Sequence, residues 1–135
     1  LIDKLIKREL DIVFVCEAFE EIQNLDRTFI FREPSILILY EIESDSVMIE
    51  MIKEGLGWSL SRPSTLLSNY EQKEQISIFP LNKGYNHLNY YVVTRKDEFT
   101  NESLEISKIC KQTFELVIKP KFENMASWIA EECEK

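Results

Sequence analysis

Residues 44–63 have the sequence SDSVMIEMIKEGLGWSLSRP, which contains a helix start signal, a glycine stop and a short following strand. Ser44 or Asp45 can cap the helix, because a side-chain oxygen there accepts a hydrogen bond from a free backbone N–H group. Apolar pairs then recur four residues apart until Gly55, which favours the end of the helix. The stretch predicts a helix–turn–strand corner of the kind that forms the wall of a cleft.

Composition excludes several classes of function. The 135 residues suffice for one domain with a sizeable core, and no apolar run reaches the roughly 20 residues that span a bilayer. With 24 acidic against 16 basic residues, this segment lacks the basic patch that nucleic acids require. Cys16, Cys110 and Cys133 show no C-x-x-C spacing, and His87 is the single histidine. We therefore expect free thiols in a cytoplasmic protein, with no metal site and no cofactor.

Strand and helix patterns alternate along the chain. Apolar runs predict strands at residues 11–16, 35–40, 76–81 and 88–94. Amphipathic patterns predict helices at residues 1–10, 101–119 and 122–132, with Pro120 ending or kinking the second one. The residues expected to face inward from that long helix are Leu104, Ile109, Cys110, Phe114 and Val117. The alternation predicts an α/β fold with mainly parallel sheets.

Five motifs in order resemble one known family. They are LDIVFV at residues 10–15, REPSILIL at 32–39, IKEGLGWSL at 52–60, ISIFPL at 76–81 and YYVVTR at 90–95. In order and spacing the chain resembles the effector-binding domain of LysR-type transcriptional regulators. Arg62 departs from the pattern, because the family usually has proline at that position and here Pro63 follows instead.

The resemblance implies a periplasmic-binding-protein-like α/β fold with two lobes joined by two crossover strands. The first lobe would comprise residues 1–38 and 88–135, and the second lobe residues 42–84. The family's opening strand–helix–strand is missing before Leu1, and about 30 residues, the size of one strand–helix unit, are missing near Tyr40. We therefore expect the sequence to be an incomplete domain from a longer chain.

The resemblance also implies a function. The chain would be the ligand-sensing and dimerisation domain of a bacterial DNA-binding regulator, and a small-molecule effector would bind between the lobes. A homodimer or homotetramer would form through the helix at residues 1–10 or the strand at residues 11–16. DNA would be bound only by a helix-turn-helix domain outside this chain, and no membrane contact is implied. A transporter-associated solute-binding protein is the alternative, which the absent secretion signal and the free cysteines disfavour.

Six residues are candidates for effector binding. Ser44, Asp45 and Ser46 begin a helix, so they either hold the effector or only cap the helix. Trp58 and Ser59 follow the second glycine, where Trp58 either forms a cleft wall or packs in the core. Glu17 comes after a strand end, where ligands gather in α/β sheets.

No catalytic residue is assigned. A Cys16 nucleophile would need a nearby base, and the only histidine, His87, follows a predicted turn. We therefore expect no enzyme activity. The apolar face at residues 122–132 is expected to pack on its own lobe or on a second subunit.

Overall fold

A computed structural model describes residues 1–16, 24–40, 59–69, 76–81 and 87–134 of the protein. Contacts divide the chain into unit 1, comprising Leu1–Arg32 and Leu88–Pro120, and unit 2, comprising Glu33–His87 and Lys121–Lys135. The described elements, in chain order, are α1 (Ile2–Ile6), β1 (Ile12–Cys16), β2 (Leu25–Glu33), β3 (Ile36–Tyr40), β4 (Ser59–Ser61), α2 (Pro63–Asn69), β5 (Ile76–Pro80), β6 (Leu88–Arg95), α3 (Thr100–Thr113), a π-helical segment (Phe114–Ile118), α4 (Lys119–Met125) and α5 (Ser127–Cys133).

Unit 1 is built on a three-stranded sheet with the order β1–β6–β2. Its buried cluster comprises Leu5, Val13 and Val93, which join α1 to the two paired strands. Side chains alternate along β1, so Val13 is buried while Phe14 is 45% exposed. Helix α1 is shorter than predicted and ends at Ile6, because Arg8 turns the chain with a φ of 64°. Unit 1 thus combines a sheet with helices before and after its strands, which agrees with the α/β class.

Unit 2 is built on a second three-stranded sheet with the order β4–β3–β5. Its buried cluster contains Ile36 of β3 and Leu66 of α2, against which Ile78, Met125 and Trp128 pack. Pro63 is the first residue of α2. Proline suits this position because its φ is already helical and its missing N–H would have no partner in the helix.

The predicted parallel pairing is wrong for three strand pairs, β1–β6, β3–β4 and β3–β5. Strand β1 runs antiparallel to β6, with Ile12 opposite Thr94 and Cys16 opposite Tyr90. Strand β3 runs antiparallel to both β4 and β5. A short apolar run can form either a parallel or an antiparallel strand, because its composition indicates that the strand is buried but not which strand it pairs with.

Helix α3 faces the sheet with small side chains, and the predicted inward set is largely wrong. Ser103, Ser107 and Phe114 are buried, whereas Leu104 is 56% and Ile109 61% exposed. Only Phe114 of the predicted set is buried. Small serines allow the helix to approach the sheet closely, so the bulky aliphatic residues lie on its flanks.

Of the two predicted effects of Pro120, an end or a kink of the helix, the end is wrong, because the helical run continues past this residue. A π-helical segment precedes it, and α4 continues to Met125 before Ala126 adopts an extended conformation with φ −163°. Proline lacks an N–H group, and its ring crowds the carbonyl group four residues earlier in a regular α-helix. The wider π turn relieves this crowding.

From Lys121 onward, the C-terminal helices α4 and α5 belong to unit 2. The lobe bounds that the resemblance implies, with these residues in the first lobe, stay a prediction. Phe122 and Ile129 are fully buried, and Met125 and Trp128 join the unit 2 cluster. The apolar face was predicted correctly, but the sequence did not specify its partner. No helix in the described ranges is long and apolar enough to cross a membrane.

Candidate functional site

Most of the predicted site lies outside the described residues. Those positions are Glu17, Ser44, Asp45, Ser46 and Trp58. Ser59 is described as the first residue of β4, where its backbone lies opposite Ile38 of β3. The six assignments therefore stay predictions, and the described part of unit 2 supplies two further polar residues that the sequence analysis missed.

Glu33 is a fully buried carboxylate at the N-terminus of α2. Its Oε2 accepts a hydrogen bond from the Ser64 backbone N–H at 2.9 Å, and its Oε1 accepts one from the Ser64 hydroxyl at 2.6 Å. Because Pro63 has no N–H group, the Ser64 N–H is the first donor of the helix that needs a partner. The carboxylate thus caps α2 from a distant strand and complements the positive end of the helix dipole.

Arg62 immediately precedes α2 and is half-buried. Its Nη1 atom is buried and has no hydrogen-bond partner among the described residues. A buried guanidinium donor without an acceptor is unfavourable, and a bound carboxylate or carbonyl group would satisfy it. One signal in the sequence points to this residue, since Arg62 stands at a position where the resemblance predicts proline.

His87 has a carboxylate partner in unit 2. Its Nε2 atom lies 3.1 Å from Glu132 Oε2, and both side chains are about three-quarters buried. Cys16 is an exposed free thiol at the end of β1 in unit 1. The pair formed by His87 and Glu132 therefore lies within unit 2. Within the described residues, no group of three or more His, Cys, Asp or Glu side chains could hold a metal ion.

A second polar cluster lies in unit 1, around Arg95 at the end of β6. Its Nη1 donates to the backbone oxygens of Leu5 and Leu10, each at 2.8 Å. Its Nη2 donates to Asp11 Oδ1 at 2.8 Å, and its Nε donates to Glu98 Oε2 at 3.0 Å. These bonds hold the turn after α1 against the end of the sheet. The hydrogen bond with Asp11, supported by Glu98 and opposed by desolvation, raises the pKa of Arg95.

Arg8 extends the cluster, because its Nη1 donates to Glu98 Oε1 at 2.8 Å. The hydrogen bond from Arg8, then the one from Arg95, lowers the pKa of Glu98 below its ordinary value. The cluster borders an open cavity of about 510 Å³. Since the charges there satisfy one another, the cluster is best understood as a structural one.

The cluster predicts a pH dependence of stability. The pKa of Glu98 is lower in the folded state than in the unfolded chain, so the ionised carboxylate stabilises the fold at pH values above its ordinary pKa of about 4.3. This contribution is lost as the pH falls through the lower pKa of the folded state. Between about pH 5 and about pH 3, the melting temperature of Glu98→Gln is expected to fall less than that of the wild type. Glu105→Gln, on the exposed side of α3, is the control and should follow the wild type. Parallel curves for Glu98→Gln and the wild type would contradict the role of this carboxylate.

Comparison with solved structures identifies the fold. A full-length OxyR variant from Pseudomonas aeruginosa superimposes with a TM-score of 0.58 over 82% of this chain and 55% of its own, at 15% identity. The reduced regulatory domain of OxyR2 from Vibrio vulnificus gives a TM-score of 0.62 over 82% of this chain and 75% of its own, at 9% identity. An H2O2-bound OxyR variant from Corynebacterium glutamicum gives 0.59 over 97% of this chain and 57% of its own, at 11% identity. The chain has the fold of the OxyR regulatory domains.

OxyR regulatory domains are LysR-type effector-binding domains, so the resemblance seen in the sequence is confirmed at the level of the fold. The periplasmic-binding-protein-like α/β class is confirmed with it. The chain spans 55% of the full-length OxyR and 75% of an isolated OxyR regulatory domain from the same organism. No family model matches the chain, and no curated protein matches it.

Proposed function

We propose that this chain is the ligand-sensing and dimerisation domain of a bacterial DNA-binding transcription regulator that acts in the cytoplasm. The observation that carries the proposal is the OxyR regulatory fold, which extends over 82% of the chain. The solved structures that this fold matches are regulatory domains of transcription regulators, which are not enzymes, so the proposal includes no catalytic role. The DNA-binding helix-turn-helix would belong to a separate domain of the same protein.

The proposed effector site comprises the six predicted residues together with Arg62. Those six are Glu17, Ser44, Asp45, Ser46, Trp58 and Ser59. Arg62 supports a ligand with a hydrogen-bond acceptor, since its buried Nη1 lacks a partner among the described residues. Glu43 and Asp45 would repel a ligand with several negative charges. A small molecule with a single carboxylate fits both conditions.

The proposed mechanism is a population shift. A ligand changes the balance between two arrangements of a domain only by the difference in its affinity for them. The effector would favour one arrangement, which changes how the dimer presents its DNA-binding domains. Occupied and empty proteins would then differ in DNA affinity, and DNA would in turn change the effector affinity by the same factor.

Arg62→Ala is expected to weaken effector binding about tenfold or more, because a charge-assisted hydrogen bond is lost. An effector is first sought by a thermal-shift screen of small monocarboxylates, because a ligand that binds only the folded state raises the melting temperature. Affinities of the strongest hit are then measured for the wild type and each variant. Ser44→Ala and Ser46→Ala are expected to weaken the same hit.

Two control variants accompany this series. Arg27→Ala removes an exposed arginine of unit 1 and Ser127→Ala removes an exposed serine of α5, so both should bind the hit as the wild type does. Unchanged affinity in Arg62→Ala, Ser44→Ala and Ser46→Ala together would show that the site lies elsewhere. The reading frame upstream of Leu1 tests the regulator assignment independently. A winged helix-turn-helix supports it, whereas a secretion signal would favour a solute-binding protein.

A further inference from the structure

The open cavity beside the Arg95 cluster has the size of a small-molecule site. Its volume is about 510 Å³, and such sites in proteins have volumes of roughly 300–1,000 Å³. The described part of its lining comes from the end of α1 and the turn that follows, the start of β2 and the turn after β6, all in unit 1. Arg8, Arg95 and Glu98 contribute to the lining, but both arginines already bind Glu98. A ligand would therefore be recognised by the other side chains of the lining.

Three turns with a strained backbone meet at this cavity. Arg8, Asn24 and Asp97 line it and have φ angles of 64°, 72° and 59°, in the left-handed region that residues with a side chain rarely adopt. Hydrogen bonds hold two of these turns in place. The Lys96 N–H donates to Asn24 O at 2.8 Å, and the Asp97 N–H donates to Asp26 Oδ2 at 2.9 Å. The cavity is thus preformed, and strain that neighbouring bonds maintain is concentrated at binding sites.

Two side chains of opposite charge remain unpaired in the lining. The Lys96 ammonium and the Asp97 carboxylate both belong to it, and neither has a hydrogen-bond or ion-pair partner in the part of the chain that the structure describes. The same is true of the side-chain amide of Asn24. A ligand with one negative and one positive group would satisfy both charges through charge-assisted hydrogen bonds. A ligand with two groups of the same sign would be repelled by one of them.

Ile6 and Leu25 form the apolar part of the lining. Ile6 is the last residue of α1 and is 50% exposed, although its side chain is a large aliphatic one. Leu25 begins β2 and packs against the buried cluster of unit 1. An apolar group that covers Ile6 would remove this surface from water. The lining therefore combines an apolar wall with one cation and one anion, which fits a small zwitterion with an aliphatic side chain.

The cavity is separate from the candidate effector residue of unit 1. Strand β1 begins at Ile12, opposite Thr94, and ends at Cys16. The cavity lies at the Ile12 end of the sheet, because Arg95 follows Thr94, whereas Glu17 follows the other end of β1. A strand of this length separates its two ends by roughly 13 Å. A ligand in the cavity would thus be a second ligand of this chain.

We propose that this cavity binds a free α-amino acid with an aliphatic side chain. The α-carboxylate of the ligand accepts a hydrogen bond from the Lys96 ammonium, and its α-ammonium group donates to the Asp97 carboxylate. Its side chain lies against Ile6 and Leu25, and the Asn24 amide supplies a further polar contact. The inference goes beyond the proposed function, because it adds a ligand site that does not depend on the effector site.

Isothermal titration calorimetry with L-leucine, L-isoleucine and L-valine tests the proposal. At least one of them is expected to bind with a dissociation constant below about 1 mM. Its N-acetyl derivative lacks the positive charge and its amide derivative lacks the negative one. Each derivative is expected to bind about tenfold more weakly or worse, since one charge-assisted hydrogen bond is lost. Absence of binding by all three amino acids, or a derivative that binds as tightly as its parent, overturns the proposal.

Two variants locate the site. Lys96→Gln and Asp97→Asn are each expected to weaken binding of the amino acid about tenfold. Both side chains are exposed, and asparagine tolerates the left-handed backbone at position 97, so the fold should be retained. Lys108→Gln is the matched control, because it removes an exposed lysine of α3 outside the lining. This control should bind the amino acid as the wild type does.

The same titrations separate this site from the proposed effector site. Arg62→Ala is expected to leave the affinity for the amino acid unchanged. Unchanged affinity in both Lys96→Gln and Asp97→Asn would place the amino acid elsewhere and overturn the assignment. A loss confined to Arg62→Ala would assign the amino acid to the effector site instead, which overturns this inference and leaves the proposed function standing.

Discussion

Replacing Phe122 by alanine is expected to lower the free energy of unfolding by about 3–5 kcal/mol. Phe122 lies in α4 and is fully buried in unit 2. The substitution removes the ring from a dry environment and leaves a cavity that the surrounding helices can only partly close. Urea denaturation followed by far-ultraviolet circular dichroism measures the change.

Phe79→Ala is the matched control for this prediction. Phe79 belongs to β5 of the same unit but is 43% exposed, so its loss should cost within about 1 kcal/mol. A loss of similar size in both variants would indicate that α4 is only loosely packed in unit 2. The comparison thus tests the placement of the C-terminal helices as well as the cost of one cavity.

Local sequence patterns predicted the strands well. The predicted strand at residues 35–40 is observed as Ile36–Tyr40, that at 76–81 as Ile76–Pro80 and that at 88–94 as Leu88–Arg95. Runs of apolar and β-branched residues bounded by proline or turn residues contain this information locally. The start of α2 at Pro63 was predictable for the same reason, because proline favours the first helical position.

Pairing and burial depend on distant parts of the chain and could not be derived in this way. Strand β1 pairs with β6, whose partner residues lie about 80 positions later, as Val13 opposite Val93 illustrates. For α3, hydrophobicity alone favoured Leu104 and Ile109 as inward residues. Close packing against the sheet instead selects Ser103 and Ser107. The sequence pattern alone does not distinguish an apolar side chain that lies in the core from one that is exposed.

The candidate site also has features that the local sequence predicts and features that depend on distant residues. Ser59 was placed correctly near the start of a strand, because a glycine stop precedes it and an extended segment follows. Glu33 was recognised only as part of the motif before Pro34, and its role depends on a residue 31 positions away. Arg62 stood out as a departure from the family pattern, but the burial of its Nη1 atom is a tertiary property.

Glu33→Ala is expected to lower the free energy of unfolding by about 2–4 kcal/mol, because it removes a charged acceptor from two hydrogen bonds of a helix start. The Ser64 N–H and hydroxyl groups would then be left without this carboxylate. Glu33→Gln keeps one carbonyl oxygen as an acceptor, so it should cost less, about 1–2 kcal/mol. Urea denaturation of the wild type and the two variants measures the loss in free energy of unfolding for each variant.

The pairing with Ser64 can be separated from the burial of Glu33 by a double-mutant cycle. Ser64→Ala removes the hydroxyl bond at 2.6 Å and keeps the backbone bond at 2.9 Å. Combined with Glu33→Ala, it should cost less than the sum of the single changes, with a coupling of about 1 kcal/mol or more. Additive costs would assign the effect of Glu33→Ala to other contacts of the carboxylate. A measurable coupling would instead show that Glu33 acts as the N-terminal cap of α2 within unit 2.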